Sequence, residues 1–474
     1  MDKRTLDIFA PTVAVAALLL LWYKRMMIAL PGEAAAAFLA GCGIGFVACG
    51  VLLDFLRRAS GKPGNGAGAR LDNKRIVVAG ALGAAFFALA CLVLPAPFAR
   101  AGCGALAGFF AACAFLASFA SGLRALSRSW RGRAFAAVFF CAGLVNTTCD
   151  LAELPALRVA GDANFAMAAL CALVAAGAAL AKGRVFNARV QAVADEPAAT
   201  PALMARLGLL AIACFVLMYV AVSLKDVVAY PVAVESITPS GFIRYVELPM
   251  WVVAGFACDL AGRRPLLVFC TLCAFVGSAG LLAPAGSASA ALCTLCSYFC
   301  LIGFPCACVC LVVDISVYLP RPAFAGAFCF APILAGAAVG ALADALAQGA
   351  GNDVLFIAST ACLALFAGAG TLLMRDAAPV AHALANATPV ITMPGEDARL
   401  SPDGIARRYG LTAREQEVLA LALRGLTVAQ MADDLVVSKS TVKFHITNVL
   451  KKTGFESREQ MIQKLAEDAS PPRS

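Results

Sequence analysis

Leu411–Leu465 reads LTAREQEVLALALRGLTVAQMADDLVVSKSTVKFHITNVLKKTGFESREQMIQKL, and its spacing predicts four short helices. At each expected start a hydroxyl residue stands three positions before a residue able to reach back, so that backbone N–H groups left over at a helix start find acceptors. The pairs are Thr412 with Glu415, Thr427 with Gln430 and Ser457 with Gln460, while Ser438 has Thr441 in the third place. Gly425 and Gly454 stand where the first and third helices must stop, since glycine takes the left-handed cap conformation without side-chain cost.

Between the second and third helices only the residues around Val436 and Val437 remain for a turn. That is a helix-turn-helix, whose second helix enters the DNA major groove. Val442, Ile446, Val449 and Leu450 make one apolar stripe at helical spacing, which faces the core. Ser440, Phe444, Thr447, Asn448 and Lys451 point away from it with Lys443 on the flank, a face of short donors and cations suited to phosphates and base edges. Charge alone does not separate this from any small helical domain with a solvated face. Leu411–Glu467 holds eight Lys and Arg against seven Asp and Glu, a net +1 that Arg407 and Arg408 raise to +3 and a dimer would double.

The sequence pattern carries more. GLTAREQEVLAL, then GLT, MADDL, SKSTVKFHI, KKTGF and SRE closely resembles the LuxR-type helix-turn-helix over its whole length. The resemblance implies that Lys443, Phe444 and Thr447 reach base edges, with Phe444 bulkier than many occupants of its position. It also implies that Thr427, Ser438, Thr441, Lys451, Lys452 and Arg458 contact phosphates or support such contacts. Glu415 resembles the family's internal polar anchor, and His445 a packing and backbone-contact residue. Met461, Ile462 and Leu465 share an apolar face of the last helix; with the resemblance, this implies a homodimer through that helix, mirrored in a palindromic DNA site.

Upstream the chain changes character. It is 61% hydrophobic with a mean hydropathy of +0.84, whereas soluble domains carry about 45–50% apolar residues. Apolar stretches bounded by charge or proline predict twelve spans, near 6–23, 33–56, 76–94, 98–120, 134–155, 163–181, 206–224, 242–260, 266–284, 289–319, 323–347 and 354–374. The tenth is longer than a bilayer needs, and Pro305 is expected to kink or interrupt it. The expected architecture is all-α: a polytopic membrane bundle over residues 1–375, in halves of about 1–181 and 206–375, a linker over 376–410, and a four-helix LuxR-type domain over 411–467.

An even number of spans puts both termini on one side. One set of alternate loops collects twenty Lys and Arg and the opposite set six, so the positive-inside rule places both termini in the cytoplasm of a bacterial cell, with a multi-pass body in its membrane lipid. Gly255-x-x-x-Asp259-x-x-Gly262-Arg263-Arg264, between spans eight and nine, resembles the loop signature of the major facilitator superfamily. A degenerate copy, Gly50-x-x-x-Asp54-x-x-Arg57-Arg58, falls at the matching place of the first half, as expected of a transporter-like body built from two similar halves. Asp54, Asp259, Arg263 and Arg264 are the expected conformational latch, a helix-end carboxylate pairing with arginines; ordinary flanking charge beside a chance glycine is the plainer alternative.

Ionisable residues inside spans cost several kcal/mol unless they face a cavity or a partner. Asp150, Glu153, Glu247, Asp314 and Asp344 qualify, and all but Asp314 fall toward the outer half. Asp150, Glu153, Glu247 and Asp344 are therefore ligand-sensing candidates, for a cationic or amine-bearing ligand or for a proton relay. A shift of a few residues in the span ends would instead make Glu153, Glu247 and Asp344 solvated helix ends.

The cysteines number 20, all in the membrane body, and read as small apolar packing residues rather than a disulfide framework or a metal site. Cys293, Cys296 and Cys300 share a helical face, with Cys306, Cys308 and Cys310 following. The chain has 2 histidines, His382 and His445, and no GxxxxGK[ST] phosphate loop. Neither enzymatic chemistry nor a catalytic residue, cofactor or metal is expected. Residues 376–410, with Pro379, Pro389, Pro394 and Pro402, read as a flexible linker spanning about 30–35 Å.

The leading expectation is thus a membrane-bound, DNA-binding transcriptional regulator, its body sensing an unknown small-molecule ligand and its LuxR-type domain binding promoter DNA. The alternatives are a secondary transporter of the major facilitator type carrying a regulatory DNA-binding tail, and a simple membrane anchor for a DNA-binding domain.

Overall fold

The computed structural model describes residues 3–30, 32–60, 73–94, 96–151, 161–187, 189–193, 201–237, 242–279, 287–316, 349–385, 388–392, 409–423, 426–435, 437–458 and 460–461. The body's described helices are α1 (Lys3–Ala29), α2 (Gly32–Ser60), α3 (Asn73–Val93), α4 (Pro97–Ala125), α5 (Arg128–Leu151), α6 (Gly161–Lys182), α7 (Pro201–Ile237), α8 (Phe242–Leu260), α9 (Arg263–Ser278), α10 (Ala288–Ser316) and α11 (Asn352–Ala385). Each expected span except the eleventh coincides with one of them; 323–347, with Asp344, lies outside the described residues. By length and composition alone, 7 described segments qualify as membrane spans.

These helices expose large apolar side chains, such as Leu209 at 67% and Phe86 at 66%, a surface stable only against lipid. Inside, α2 and α3 lie against α4, α1 against α5 and α6, α7 against α11, and α9 against α10. Small residues permit the closest crossings: a Cβ at Gly45 would sit 2.6 Å from the Phe109 carbonyl oxygen. Near its end α4 loosens into a π turn, Leu116–Ala120, where the buried Ser118 hydroxyl donates to the Ala114 carbonyl at 2.8 Å.

The structure departs from the sequence expectations in three places. Of the two effects expected of Pro305, a kink or an interruption, the interruption does not occur, since α10 runs through it from Ala288 to Ser316. Arg25, which falls in the expected loop between the spans 6–23 and 33–56, is not a loop residue: α1 continues to Ala29 and buries Arg25 to 1% exposure, where its guanidinium donates to the Asn146 carbonyl at 3.2 Å and to Asn164 Oδ1 at 3.4 Å. The third concerns the linker. Residues 376–385 prolong α11, and Thr388–Thr392 (β2) pairs antiparallel with Arg189–Val193 (β1) in the connector between the halves, Arg189 opposite Thr392 and Val193 opposite Thr388.

The C-terminal domain comprises α12 (Ala413–Leu423), α13 (Val428–Asp434) and α14 (Lys439–Thr453), followed by helical residues at Arg458, Gln460 and Met461. Val418, Leu421, Ala422, Met431 and Val442 make one side of its core, Leu419, Val449 and Met461 the other. Gly425, Val436, Ile462 and Leu465 lie outside the described residues.

Candidate nucleic-acid interface

The expected caps are formed. Thr412 N–H donates to Glu415 Oε2 at 2.8 Å and Glu415 N–H to Thr412 Oγ1 at 3.4 Å. Thr427 and Gln430 exchange the same pair at 2.9 and 3.2 Å, and Ser438 Oγ accepts from Thr441 N–H at 3.1 Å. At the last helix Ser457 Oγ accepts from Gln460 N–H at 3.1 Å, but Gln460 reaches back to the N–H of Glu456 rather than that of Ser457. Gly454 ends α14 in the left-handed conformation at φ 75°, its N–H donating to the Leu450 carbonyl at 2.8 Å.

These caps fix how α14 faces solvent. Val442 and Val449 are buried against α12 and α13. Ser440, Lys443, Phe444, Thr447 and Lys451 are exposed on the opposite face. Phe444 is 62% exposed with its ring edge-on to His445, and Thr447 holds its hydroxyl on the Lys443 carbonyl at 3.0 Å. An exposed aromatic ring between a lysine and a threonine offers apolar contact to a thymine methyl beside donors for base edges.

Two cations expected to contact phosphates or to support such contacts are engaged inside the domain. Lys452 Nζ lies 2.6 Å from Glu415 Oε2, tying the end of α14 to the start of α12. Arg458 is buried and donates to the Leu426 carbonyl at 2.6 Å, bracing the loop before α13. Burial alone would push the Glu415 carboxyl up; the Lys452 ammonium and the Thr412 donors outweigh that and hold it below its ordinary value of 4.5.

In the body, one cluster joins the two halves. Asp259, at the end of α8, has a fully buried carboxylate that accepts from the backbone N–H groups of Gly132 at 2.8 Å and Arg133 at 2.9 Å on α5. Arg263 lies 3.2 Å from it and Arg133 3.7 Å. Asp314, on α10, is 2% exposed and pairs with Arg131 at 2.7 Å, Arg128 at 3.1 Å and Arg263 at 3.2 Å. The helices meet on glycines: a Cβ on Gly255 would lie 2.5 Å from Ala136 Cβ, and one on Gly132 2.7 Å from Asp259 Oδ1. Asp259 and Arg263 are thus together as expected. Arg264 instead donates to the Met374 carbonyl at 3.1 Å on α11, and the Asp54 side chain lies outside the described residues. The sequence does not mark Asp314, Arg131 and Gly132 as members of this cluster.

Of the four ligand-sensing candidates only Glu247 has a described side chain; Asp150 is on α5, and Glu153 and Asp344 lie outside the described residues. Glu247 Oε1 accepts from Trp251 Nε1 at 3.2 Å, and Trp251 stacks on Phe139 of α5 with ring centroids 4.3 Å apart. The cysteines largely pack as expected, yet Cys258, Cys306 and Cys310 bring their sulfurs within 4.8 Å of one another.

Residues 410–465 match the family described as "Bacterial regulatory proteins, luxR family". The spore germination protein GerE of Bacillus subtilis (strain 168) is 38% identical over 55 residues, 12% of this chain and 74% of that protein. A protein of Mycobacterium tuberculosis (strain H37Rv) named as an HTH-type transcriptional regulator is 40% identical over 67 residues, 14% of this chain and only 8% of that protein. Among solved structures, the major facilitator superfamily transporter FucP in its outward conformation matches 78% of this chain and 99% of its own, with TM-score 0.52 and 13% identity. The proton:xylose symporter XylE matches 78% and 95%, with TM-score 0.54 and 15% identity. At such identity the likeness shows the fold: a multispan body of the major facilitator kind fused to a helix-turn-helix domain.

Proposed function

This chain belongs to the LuxR family of bacterial regulatory proteins through residues 410–465, and on that premise we propose that it regulates transcription from the membrane, its body sensing a small-molecule ligand and controlling the DNA-binding domain. The observation that carries the reading is the joining, in one chain, of an exposed recognition helix to a transporter-fold body whose halves meet through buried ion pairs. A ligand that prefers one arrangement of the halves shifts the population by its difference in affinity, and the change passes to the DNA-binding domain through the chain after α11.

In this reading both termini are cytoplasmic. Residues 1–375 form the body, with α11 prolonging it to Ala385, 376–410 connect, and 411–467 bind promoter DNA as a homodimer. Lys443, Phe444, Thr447 and Ser440 read bases; Lys451, Thr427, Ser438 and Thr441 hold phosphates, with Lys452 and Arg458 supporting the fold beneath them. Asp150, Glu153, Glu247 and Asp344 receive the ligand, and Asp54, Asp259, Arg263 and Arg264 form the latch.

Chromatin mapping of bound sites supplies the operator and, from neighbouring genes, candidate ligands. Asp150→Asn and Glu247→Gln should then lower the ligand response of a reporter without altering membrane insertion or operator affinity. Full response in both variants, or in a chain whose body is replaced by one unrelated membrane helix, rejects the sensory reading. A second reading, active transport, draws on the fold shared with FucP and XylE. Uptake by the reconstituted chain would support it, and ligand occupancy without flux would exclude it.

A further inference from the structure

Cys258, on the last turns of α8, and Cys306 and Cys310, one helical turn apart on α10, have sulfurs that all lie within 4.8 Å of one another. Each residue is 0% exposed. The group adjoins the cluster between the halves: Arg263 donates to the Cys258 carbonyl at 2.6 Å, and Cys306 Sγ lies 4.0 Å from the Gly132 carbonyl oxygen of α5. Three thiolates around a metal at about 2.3 Å in one plane sit about 4.0 Å apart, which the observed spacing accommodates.

The number of ligands decides which ion fits. The neighbouring cluster sets Arg131, Arg133 and Arg263, together with the exposed Arg128, against two carboxylates, Asp259 and Asp314, so its net charge is positive and favours thiolates beside it. Three thiolates complete a planar three-coordinate shell around one soft monovalent ion. Zinc seeks a fourth ligand in tetrahedral geometry, while both nearby carboxylates are taken up by arginines and backbone N–H groups.

We propose that Cys258, Cys306 and Cys310 form a trithiolate site for a soft monovalent ion of the copper(I) class. Binding replaces three S–H bonds by three metal–sulfur bonds and releases three protons, with no change of oxidation state. It staples α8 to α10 directly beneath the glycine crossing with α5, so occupancy stiffens one wall of the contact between the halves. The site stands apart from the sensory reading and holds equally for a transporter.

The test uses the full chain in lipid nanodiscs, kept reduced by a phosphine under anaerobic conditions and titrated with copper(I) against a chromophoric competitor. Because 20 cysteines are present, the readout is the difference between variants. The parent should bind one tight equivalent more than the Cys258→Ser/Cys306→Ser/Cys310→Ser variant, and each single variant should lose more than about 100-fold in affinity, since even outer partners of metal ligands are worth about 10–100-fold. Cys308→Ser, on the same helix but outside the triad, should bind as the parent does. Copper-edge absorption of the parent at one equivalent, which needs no variant to fold, should show three sulfur neighbours. Equal binding by parent and triple variant, nitrogen or oxygen in the copper shell, tighter binding of zinc(II) than of copper(I), or retention of no metal by the reduced protein would each overturn the proposal.

Discussion

Asp259 on α8 accepts the backbone N–H of Gly132 on α5 at 2.8 Å, so a side chain of the second half ends on the main chain of the first. A Cβ on Gly132 would lie 2.7 Å from that carboxylate oxygen and 2.7 Å from the Gly255 carbonyl oxygen, a backbone atom that cannot step aside, so this close approach depends on glycine at 132. The contact therefore reports directly on how closely the halves approach.

Asp259→Asn keeps the side chain's shape and an acceptor for Gly132 while removing the charge that faces Arg133 and Arg263. Basal reporter output without ligand should shift by about fivefold or more, the effect of about 1 kcal/mol of difference between two states. Gly132→Ala, which wedges the same contact, should shift it too. Reporter assays at matched protein levels check both, and unchanged output in the two variants would remove the cluster from the control of the DNA-binding domain.

Base reading and phosphate holding should separate on α14. Lys443→Ala and Thr447→Ala should each cost about 1–3 kcal/mol on the operator and little on random DNA. Lys451→Ala should weaken both alike and lower the salt slope by about one. Titrations of the C-terminal domain at several salt concentrations decide this, and equal loss on both DNAs for Lys443→Ala would refute its role at a base edge.

Lys452 should behave as a structural residue, unlike its neighbour. With its side chain 37% exposed, Lys452→Met should cost about 1 kcal/mol of domain stability after allowance for solvent screening, whereas Lys451→Met should cost almost none. The Glu415 carboxyl sits below its unfolded value near 4.5. Its contribution is complete above that pH and is lost as pH falls through the lower folded value. Chemical denaturation of the domain across this acid range should show that loss in the parent and a smaller one in Lys452→Met; identical profiles would disprove the coupling.

The features legible in the sequence are those whose partners lie within one helical turn. Thr412 with Glu415 and Thr427 with Gln430 are three positions apart, so cap chemistry alone foretells them. Lys452 with Glu415 is 37 positions apart and Asp259 with Gly132 127; only the folded chain brings such pairs together. For the same reason the sequence groups Cys306 and Cys310 with Cys308, their neighbour along the chain, rather than with Cys258 on another helix. Arg25 reads as a loop residue because a charge near a span's end looks like one until its buried acceptors, Asn146 and Asn164, are in place.

Dimerisation is expected through the last helix, with Met461 already packed in the domain core and Ile462 and Leu465 following it. Leu465→Glu should leave the domain folded but abolish cooperative binding to a full palindrome, about a 10²-fold loss or more when two half-sites act as one. Sedimentation and half-site titration check this; undiminished cooperativity would place the dimer contact elsewhere.

The ribbon of β1 and β2 makes the second half of the body an excursion that returns the chain to its point of departure. The route to the DNA-binding domain thus leaves beside the first half, at the Arg189–Thr392 end of the ribbon, while both strands enter the second half at the other end. Tension between the DNA-bound domain and the first half would pull both strands from that shared end. Antiparallel pairs loaded in this way unzip rung by rung, breaking their hydrogen bonds in succession, and offer far less resistance than strands sheared lengthwise. A load applied in that way would meet the ribbon one rung at a time, Arg189 and Thr392 parting first and Val193 and Thr388 last.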